Sequence, residues 1–360
     1  MGNNIDVLKT FPDNHFDSIV TDPPYGIDFL GKAWDANTGA LETYQECLRV
    51  LKPGGHILAF SAARTYHHLA ITLEQAGFEI RDQIMWIYSS GFPKSQDVGR
   101  SIQRSLGVKE KKFIGIQDPN IRHNSAARGG SEVDLGMDGF QTVCTDPLAK
   151  QWQGWGTALK PAHEPIALAR KPIKLSIAKN AQQWGTGALN IDATRVPNAE
   201  GDRFPSNVIG EILQDDYQKY FYCPKVSRRE RHSGFDLDLV PTVEFNDPAT
   251  IHLHPLWTPA MGKNVYRLKQ AIEQQQTVKI GNNHPTVKPI ELMKYLIKLI
   301  TPPGGVVLDP FNGSGSTGCA AVELGFEYIG CELDPAYVAI TEKRIEAWNK
   351  QDNTFEELFE

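Results

Sequence analysis

The sequence predicts an α/β fold in which the two ends of the chain build one parallel sheet and the middle of the chain forms an insertion. Residues 1–90 alternate between buried strands and amphipathic helices, and residues 282–350 resume the same alternation. Residues 91–281 lack clear periodicity and are rich in Gly, Pro and polar turns. That stretch is too long for a loop in a compact domain. The 360 residues therefore predict one domain that is split in sequence and a second domain inserted into it.

The first segment predicts a β-α-β-α-β succession. A short apolar run that ends in an acid is typical of a buried parallel strand, and apolar residues at helical spacing predict the helices. Pro53-Gly54-Gly55 stops the first helix and Gly77 the second. The elements in order are FDSIVTD (16–22), LETYQECLRVL (41–51), HILAFSA (56–62), YHHLAITLEQAGF (66–78) and IRDQIMWIY (80–88).

The last segment predicts two further strands between three helices. Its first helix is broken by Pro302-Pro303-Gly304-Gly305, and a Gly-rich turn follows the first of its strands. The elements in order are VKPIELMKYLIKLI (287–300), GVVLDP (305–310), TGCAAVELG (317–325), YIGCEL (328–333) and AYVAITEKRIEAW (336–348).

Composition and charge limit the classes of function. With 41% hydrophobic and 22% charged residues, the chain is typical of a globular protein, and no apolar run approaches the ~18 residues of a membrane span. The five cysteines form no CxxC pair, so the sequence predicts no metal site, no disulfide framework and a cytoplasmic protein. The net charge is −6, yet residues 91–235 hold 21 basic and 15 acidic groups. The middle of the chain is therefore expected to contact an anionic partner.

The motif Thr21-Asp22-Pro23-Pro24-Tyr25-Gly26 directly follows the first predicted strand. The two prolines exclude a helix, so the chain leaves the strand as a rigid extended loop. This places the Asp22 carboxylate and the Tyr25 ring at the carboxyl end of a parallel strand, where open α/β sheets bind ligands. The carboxylate and a proline carbonyl can accept hydrogen bonds from an aromatic amine, which concentrates the lone pair on nitrogen for attack on an electrophile. A plain turn is the alternative interpretation of Asp-Pro-Pro alone.

A second motif, DPFNGSGSTG at 309–318, lies between a predicted strand and a helix. Gly313 and Gly315 allow a ligand to approach the backbone closely. Glu332 ends the next strand, and an acid about 20 residues after a Gly-rich turn typically binds a ribose hydroxyl pair. The glycine spacing also suits a dinucleotide, whereas the lack of a GK[ST] sequence excludes a P-loop. Tight packing of helix on strand is the alternative interpretation.

Four segments together resemble a known family. TDPPYG (21–26), HPTVKPIELM (284–293), LDPFNGSGSTG (308–318) and IGCELD (329–334) resemble the amino-group DNA methyltransferases that use S-adenosyl-L-methionine. The order of catalytic motif, variable region and cofactor motif is that of class β. The central stretches LKPAHEPIALARKP (159–172), GTGALNID (185–192), RFPSNVI (203–209) and YFYCPKVSRRER (220–231) resemble phage-type and mobile-element members.

The resemblance implies a circularly permuted Rossmann-like sheet with a central target-recognition domain. It implies a catalytic half over 1–92, a target-recognition insertion over 93–281, a cofactor-binding half over 282–350 and a tail over 351–360. Because Asp-Pro-Pro-Tyr is more usual for adenine enzymes, it implies methylation of adenine N6 in double-stranded DNA. It also allows a cognate restriction endonuclease and a homodimer as partners.

The resemblance also implies roles for individual residues. Asp22 and the carbonyl of Pro23, followed by Pro24, receive the target amine, and Tyr25 stacks on the extruded base. The expected cofactor-binding residues are Asp309, Pro310, Phe311, Gly313, Gly315, Thr317, Glu332, His284, Thr286 and Lys288. The expected DNA-binding residues are Lys225, Arg228, Arg229 and Arg231, for which a solvated charged face is the alternative.

Other functions remain open from the sequence. Cytosine N4 is the near alternative target, and RNA or a protein glutamine is a more distant one. An inactive DNA-binding relic is a third, because the family often has Gly-Asp where this chain has Gly2-Asn3. Trp152, Trp155 and Trp184 are expected in the core of the inserted domain.

Overall fold

The computed structural model describes residues 1–27, 37–88, 95–107, 111–113, 140–196, 201–210, 226, 228–235, 282, 284 and 286–356. Among these residues no helix is both long enough and apolar enough to cross a membrane. The chain divides into two compact units, the first of which comprises Met1–Trp86, Glu164–Gly210 and Gln214–Glu360.

Among the described residues, the first unit is built on a seven-stranded sheet. Its strands are β1 (Phe16–Thr21), β2 (Leu51–Phe60), β3 (Glu79–Ile87), β6 (His163–Arg170), β7 (Val208–Gly210), β8 (Val306–Asp309) and β9 (Glu327–Gly330). Their order across the sheet is β7-β3-β6-β2-β1-β8-β9. β1 pairs in parallel with both β2 and β8, and β8 pairs in parallel with β9. The sheet thus has the parallel centre of an α/β fold, as the sequence predicts.

The pairing of β1 with β8 joins the two ends of the chain. Ser18 lies opposite Val307 and Ile19 opposite Leu308. All six residues of β1 are buried, because the strand lies at the centre of the sheet. Since parallel neighbours end at the same edge, the loops that follow β1 and β8 emerge side by side. This confirms the permuted arrangement in which one sheet is assembled from both ends of the sequence.

β6 is the main departure from the predicted architecture. It pairs antiparallel with β2, from His56 opposite Arg170 to Phe60 opposite Ile166, and it separates β2 from β3. This strand belongs to the segment predicted as an insertion over 93–281, and Glu164–Gly210 lies in the first unit. The compact units therefore follow boundaries other than 93 and 281. A continuous apolar run such as Pro165–Ala169 does not alternate, so periodicity alone does not reveal it as a strand.

Helices cover the sheet. α1 (Asn4–Leu8), α2 (Leu41–Val50) and α3 (Tyr66–Ala76) share one buried cluster with β1, β2 and β6, in which Phe16, Tyr44 and Leu69 are fully buried. The other helices that the structure describes in this unit are α6 (Ile177–Trp184), α7 (Arg228–Arg231), α8 (Ile290–Ile300), α9 (Ser316–Glu323) and α10 (Pro335–Glu356), with a 3₁₀ turn at Asp192–Thr194. α8 packs against β1, β2 and α9, and α9 packs against α10.

The second unit comprises Ile87–His163 and Glu211–Leu213, and its described residues lie in the first of these ranges. It contains α4 (Val98–Ser105), a two-stranded antiparallel sheet of β4 (Lys111–Phe113) and β5 (Phe140–Thr142), and α5 (Pro147–Gln151). The buried amide of Gln103 binds the start of α5: its Oε1 accepts from the backbone N–H groups of Thr145 and Asp146, each at 3.1 Å.

The tryptophan prediction is wrong for all three residues. Trp152 is 38% exposed and Trp155 is 60% exposed, and their rings contact each other edge to face with centroids 5.2 Å apart. The 5-residue helix α5 and the loop after it are too short to surround both rings. Trp184 is half-buried at the end of α6, which lies in the first unit.

Candidate active site at the carboxyl edge of the sheet

The two motif-bearing loops meet at the carboxyl ends of β1 and β8. The Thr21 hydroxyl, at the last residue of β1, donates a 2.6 Å hydrogen bond to Oδ1 of Asp309, the last residue of β8. Both residues are buried. The structure thus brings together the two motifs that are separated by nearly 300 residues of sequence.

Two side chains of the loop after β1, Asp22 and Tyr25, belong to a cluster of four charged or hydroxyl side chains. Lys288 Nζ lies 2.6 Å from Asp22 Oδ2 and 3.0 Å from the Tyr25 hydroxyl oxygen. The same hydroxyl lies 2.9 Å from Asp22 Oδ1 and 2.8 Å from Glu164 Oε2. Glu164 is in turn 3.4 Å from Lys288 Nζ. We refer to Asp22, Tyr25, Glu164 and Lys288 as the acid–lysine cluster.

The acid–lysine cluster is largely shielded from solvent. The side chains of Lys288, Asp22 and Glu164 are 7%, 18% and 18% exposed. Burial raises the pKa of Asp22, and the Glu164 charge adds to this effect while Lys288 opposes it. The pKa of Lys288 is raised because the charges of Asp22 and Glu164 outweigh the effect of burial. The pKa of Tyr25 lies well above its usual value, because of burial and then of the same two carboxylates. Tyr25 is therefore a neutral donor at physiological pH.

The loop after β8 holds its aspartate with neutral groups. Asp309 Oδ1 accepts from the Thr21 hydroxyl and, at 3.0 Å, from the backbone N–H of Phe311, and Oδ2 accepts from the Thr317 hydroxyl at 2.6 Å. Asp309 is 2% exposed, and burial raises its pKa to about 6 although these three hydrogen bonds oppose the rise. The carboxylate therefore fixes the loop between β8 and α9.

Glu332, just after β9, lies beside the Gly-rich turn. Its Oε2 accepts from the backbone N–H of Gly313 at 2.8 Å, and its Oε1 accepts from that of Asp334 at 2.9 Å. Each carboxylate oxygen retains a further lone pair for a hydroxyl donor. Burial raises the pKa of Glu332. A half-buried acid at the end of this strand suits a ribose hydroxyl pair.

The backbone of the turn is approached closely by neighbouring side chains. Gly313 and Gly315 have φ angles of +55° and +78°, which other residues rarely adopt. A Cβ on Gly313 would lie 2.9 Å from His284 Nε2, and one on Gly315 would lie 2.7 Å from Thr341 Cγ2. Both positions therefore require glycine. The two glycines thus let the side chains of His284 and Thr341 pack directly against the backbone of the turn.

The segment before α8 covers this turn. The His284 ring packs edge to face on Tyr337 with centroids 4.6 Å apart, and its Nδ1 accepts from the backbone N–H of Thr286 at 3.4 Å. Burial, followed by the charges of Lys288, Arg344 and Arg231, lowers the pKa of His284 to about 3. Arg231 Nη1 donates to the His284 carbonyl at 2.8 Å. The imidazole is therefore neutral, and Arg231 contributes to holding the segment over the turn.

The residues at the start of the chain lie beside Glu332. The backbone N–H of Gly2 donates to the Glu332 carbonyl at 2.9 Å. The Asn3 side chain caps α1 by accepting from the backbone N–H of Ile5 at 2.9 Å, and Asn4 Nδ2 donates to the Pro310 carbonyl at 3.2 Å. Asn3 thus has a structural function of its own at the position where the resemblance expects an acid.

The structure brings most of the sequence-predicted residues to one edge of the sheet. Lys288, expected with the cofactor-binding residues, contacts Asp22 and Tyr25 of the loop after β1. Glu164 was not a predicted site residue, because a lone acid before an apolar run gives no signal in sequence. Lys225 and the side chains of Arg228 and Arg229 lie outside the described residues. The described residues contain no group of three or more His, Cys, Asp or Glu side chains that could hold a metal ion.

The model of a known protein family matches most of the chain. The model N6_N4_Mtase, described as DNA methylase, matches residues 16–343. The matched range begins with β1 and includes both loops of the site together with the segment between them.

Curated relatives match the chain to different extents. The type II methyltransferase M2.DpnII of Streptococcus pneumoniae is 34% identical over 198 residues, which cover 51% of this chain and 66% of that protein. The type II methyltransferase M.HindIII of Haemophilus influenzae is 21% identical over 385 aligned positions, which cover 94% of this chain and 91% of that protein. DNA adenine methyltransferase YhdJ of Escherichia coli is 42% identical over 64 residues, which cover 18% of this chain and 22% of that protein. The chain thus spans less than two thirds of the first and third of these relatives.

Proposed function

This chain belongs to the N6_N4_Mtase family of DNA methylases, and we propose that it transfers a methyl group from S-adenosyl-L-methionine to the N6 amino group of adenine in double-stranded DNA. The observation that carries the proposal is the placement of Asp22. Asp22 directly follows Thr21, the last residue of β1, and the Thr21 hydroxyl donates to Asp309, from which the Gly-rich turn after β8 begins. The loop proposed to accept the amine and the turn proposed to hold the methyl donor therefore start from neighbouring residues.

The loop after β1 supplies the acceptors for the target amine. The Asp22 carboxylate and the Pro23 carbonyl each accept a hydrogen bond from one of the two N–H groups of the amine. Pro24 keeps the loop extended. When bound, S-adenosylmethionine supplies an electrophilic methyl group on a sulfonium sulfur. Asp22 increases electron density on the amine nitrogen and accepts the proton that the nitrogen loses on methylation. A buried carboxylate is effective here because its interactions are strong in a low dielectric.

Tyr25 is the proposed stacking partner of the target base. A base within a duplex cannot reach a loop at the edge of a sheet, so the target nucleotide must leave the stack, at a cost of a few kcal/mol. The Tyr25 hydroxyl is fixed by contacts with Asp22, Glu164 and Lys288, which holds the ring in one orientation. A fixed ring orders the extruded base with little loss of side-chain entropy.

The loop after β8 and its neighbours supply the cofactor site. Glu332 would receive the ribose hydroxyls, and Gly313 and Gly315 give the proposed cofactor turn its left-handed backbone conformation. Phe311, whose backbone N–H donates to Asp309, is a further proposed contact of the cofactor. Asp309 and Thr317 fix the turn through their hydrogen bond, and His284 and Thr286 would close over the methionine part of the cofactor.

DNA binding is proposed for the central segment, whose basic residues exceed its acidic ones. Lys225, Arg228 and Arg229 are the proposed phosphate contacts. Arg231, which donates to the His284 carbonyl, would link that segment to the cofactor site. A cognate restriction endonuclease and a homodimer are further proposals, and the first is supported by the type II methyltransferases among the relatives.

The choice of adenine over cytosine depends on two observations. The catalytic motif is Asp-Pro-Pro-Tyr, and the name of the YhdJ relative describes it as an adenine enzyme. N4-methylcytosine is the alternative product that the same chemistry would give.

The test is to incubate the purified chain with methyl-labelled S-adenosylmethionine and unmethylated double-stranded DNA, and then to identify the labelled nucleoside. We expect N6-methyl-2′-deoxyadenosine from the wild type and no labelled nucleoside from Asp22→Ala. Labelled N4-methyl-2′-deoxycytidine would contradict the choice of base. An unlabelled product together with no binding of S-adenosylmethionine in calorimetry would favour an inactive DNA-binding protein.

A further inference from the structure

Glu164 contributes a second carboxylate to the acid–lysine cluster. It lies at the start of β6, far in sequence from both motif-bearing loops. Its Oε2 is 2.8 Å from the Tyr25 hydroxyl oxygen and 3.4 Å from Lys288 Nζ. Both groups also contact Asp22, so the two carboxylates share the same two donors.

The shared donors present a problem for the proposed amine acceptor. Lys288 contacts Oδ2 of Asp22 and Tyr25 contacts Oδ1, so both oxygens already accept hydrogen bonds. A carboxylate paired with an ammonium group is a weak base, because the positive charge favours its ionised form. Asp22 can accept a proton from an amine effectively only if Lys288 moves away from it or has another negative partner.

The hydroxyl of Tyr25 raises the same question. A phenolic hydroxyl has one proton and can donate it to one carboxylate at a time. It lies at nearly equal distances from Asp22 and Glu164, 2.9 Å and 2.8 Å. A small rotation of the O–H bond therefore moves the donated hydrogen bond from one carboxylate to the other.

We infer that Glu164 is a positioning residue, which takes over Lys288 and the Tyr25 hydroxyl from Asp22 when the target amine binds. The inference depends on the proposed function of Asp22 as the amine acceptor. Lys288 is already within ion-pair distance of Glu164, and its Nζ lies 4.9 Å from the centre of the Phe60 ring. The ammonium group can therefore exchange carboxylates by a short movement and does not have to enter water.

Glu164 also sets the charge of the acid–lysine cluster. Two carboxylates and one ammonium group leave a net charge of −1, whereas Asp22 and Lys288 alone would be neutral. During methyl transfer the nitrogen–carbon bond forms, the carbon–sulfur bond breaks with its electron pair passing to sulfur, and the amine proton passes to Asp22. The nitrogen gains positive charge before that proton leaves. A site with a net charge of −1 stabilises the positive charge on the nitrogen, and Glu164 is the residue that makes the site negative and not neutral.

The test compares Glu164→Gln with the wild type in the DNA methylation assay. We expect kcat to fall about 10- to 100-fold, with the KM values for S-adenosylmethionine and DNA changed less than about threefold. The acid limb of the kcat–pH profile should move to lower pH. The reason is that Glu164 raises the pKa of Asp22, so that removal of its charge lowers the pH at which Asp22 becomes protonated.

Glu79→Gln is the matched control. Glu79 Oε2 accepts a 2.7 Å hydrogen bond from Nη2 of Arg170, which lies at the other end of β6 from Glu164. This variant loses a carboxylate that anchors β6 but lies away from the cluster, and it should keep both kcat and the acid limb. A fall of kcat in Glu164→Gln without movement of the acid limb would mean that Glu164 only anchors β6, and an unchanged kcat would also overturn the inference.

A second variant keeps the test decisive if Glu164→Gln is unstable. Glu164→Asp retains the charge and withdraws the carboxylate from the two donors, so kcat should fall several-fold while the acid limb stays in place. Equal kcat in Glu164→Asp and the wild type would contradict the inference. The wild-type measurement separates the two proposals. If the wild type methylates no DNA, the proposed function is wrong. If the wild type is active but the variants do not behave as expected, only the inference about Glu164 is wrong.

Discussion

The two loops that meet at the carboxyl edge of the sheet each hold a largely buried aspartate, but with different kinds of partner. Asp22, after β1, is bound by the charged Lys288 and by a tyrosine hydroxyl that it shares with Glu164. Asp309, at the end of β8, is bound by two threonine hydroxyls and one backbone N–H. The first aspartate has donors that can exchange partners, and the second has donors fixed within the fold.

This difference matches the different functions proposed for the two aspartates: Asp22 would accept the amine proton, whereas Asp309 holds elements of the fold together. Each donor of Asp309 belongs to β1, to its own loop or to the first turn of α9, so the carboxylate joins three elements. The donors of Asp22 are the ends of long side chains whose other acceptor is a second carboxylate. As the proposed proton acceptor, Asp22 needs hydrogen-bond donors that can move away from it. Asp309, which fixes a loop, has no such need.

Substitution of Asp22 should have the largest effect on activity. Asp22→Asn removes the proton acceptor, so we expect kcat to fall about 10³-fold, equivalent to about 4 kcal/mol. Lys288 keeps Glu164 as a charged partner, so the unfolding free energy should change by less than about 1 kcal/mol. Methyl transfer from labelled S-adenosylmethionine and urea unfolding measure the two quantities. Loss of stability comparable to that of an Asp309 variant would show that the two aspartates do not differ in the way described.

Substitution of Asp309 should mainly affect stability. Asp309→Ala leaves the hydroxyls of Thr21 and Thr317 and the N–H of Phe311 without an acceptor in a buried site, at about 1 kcal/mol or more each. We expect a loss of about 3 kcal/mol in urea unfolding at pH 7. Asp22→Ala is the comparison variant, and equal losses in the two would contradict the assignment of Asp309 to the architecture.

The pH dependence of stability should reveal the burial of Asp309. Its folded-state pKa of about 6 lies above the ordinary value of 3.8, so between these values the folded state binds more protons than the unfolded state. The contribution of this group to stability therefore rises as the pH falls from 7 to 4, by up to about 3 kcal/mol.

Asp309→Asn is the variant that isolates this effect. Its amide does not titrate, so the stability difference between wild type and variant should shift in favour of the wild type as the pH falls. Urea unfolding of both proteins at pH 7, 6, 5 and 4 measures the difference. A difference independent of pH would show that Asp309 is not destabilised as an anion.

The smallest effect is expected from the hydrogen bond that links the two strands. Thr21→Val is nearly isosteric, removes one donor to the Asp309 carboxylate and should cost about 1.5 kcal/mol. Thr10→Val removes an exposed hydroxyl that donates to the Val7 carbonyl at 2.7 Å, and it should change stability by less than about 0.5 kcal/mol. Similar losses in both variants would mean that the link between β1 and β8 contributes little.

The parts of the fold that could be predicted are those with strong local signals. β1, α3 and β8 have bounds close to the predicted ones, because short apolar runs and a glycine stop mark them in sequence. β2 begins at Leu51, directly after α2, although Pro53-Gly54-Gly55 was expected to separate helix from strand. The pairing with β1 shifts register across this segment, from Phe16 opposite Leu51 to Ser18 opposite His56. The proline and the glycines thus lie in an irregular part of the strand, where they are tolerated.

The sequence by itself determined which residues of each loop are proposed to carry its chemistry, since an acid and two prolines after a strand have consequences that depend only on their immediate neighbours. Only the tertiary structure decided that β6 lies between β2 and β3, that Glu164 therefore reaches Tyr25, and that Lys288 contacts Asp22. The physical reason is that the order of strands in a sheet is set by burial and hydrogen bonding between segments distant in sequence. The charge of a buried site is likewise the sum of side chains that the fold brings together, and no local pattern in the sequence records that sum.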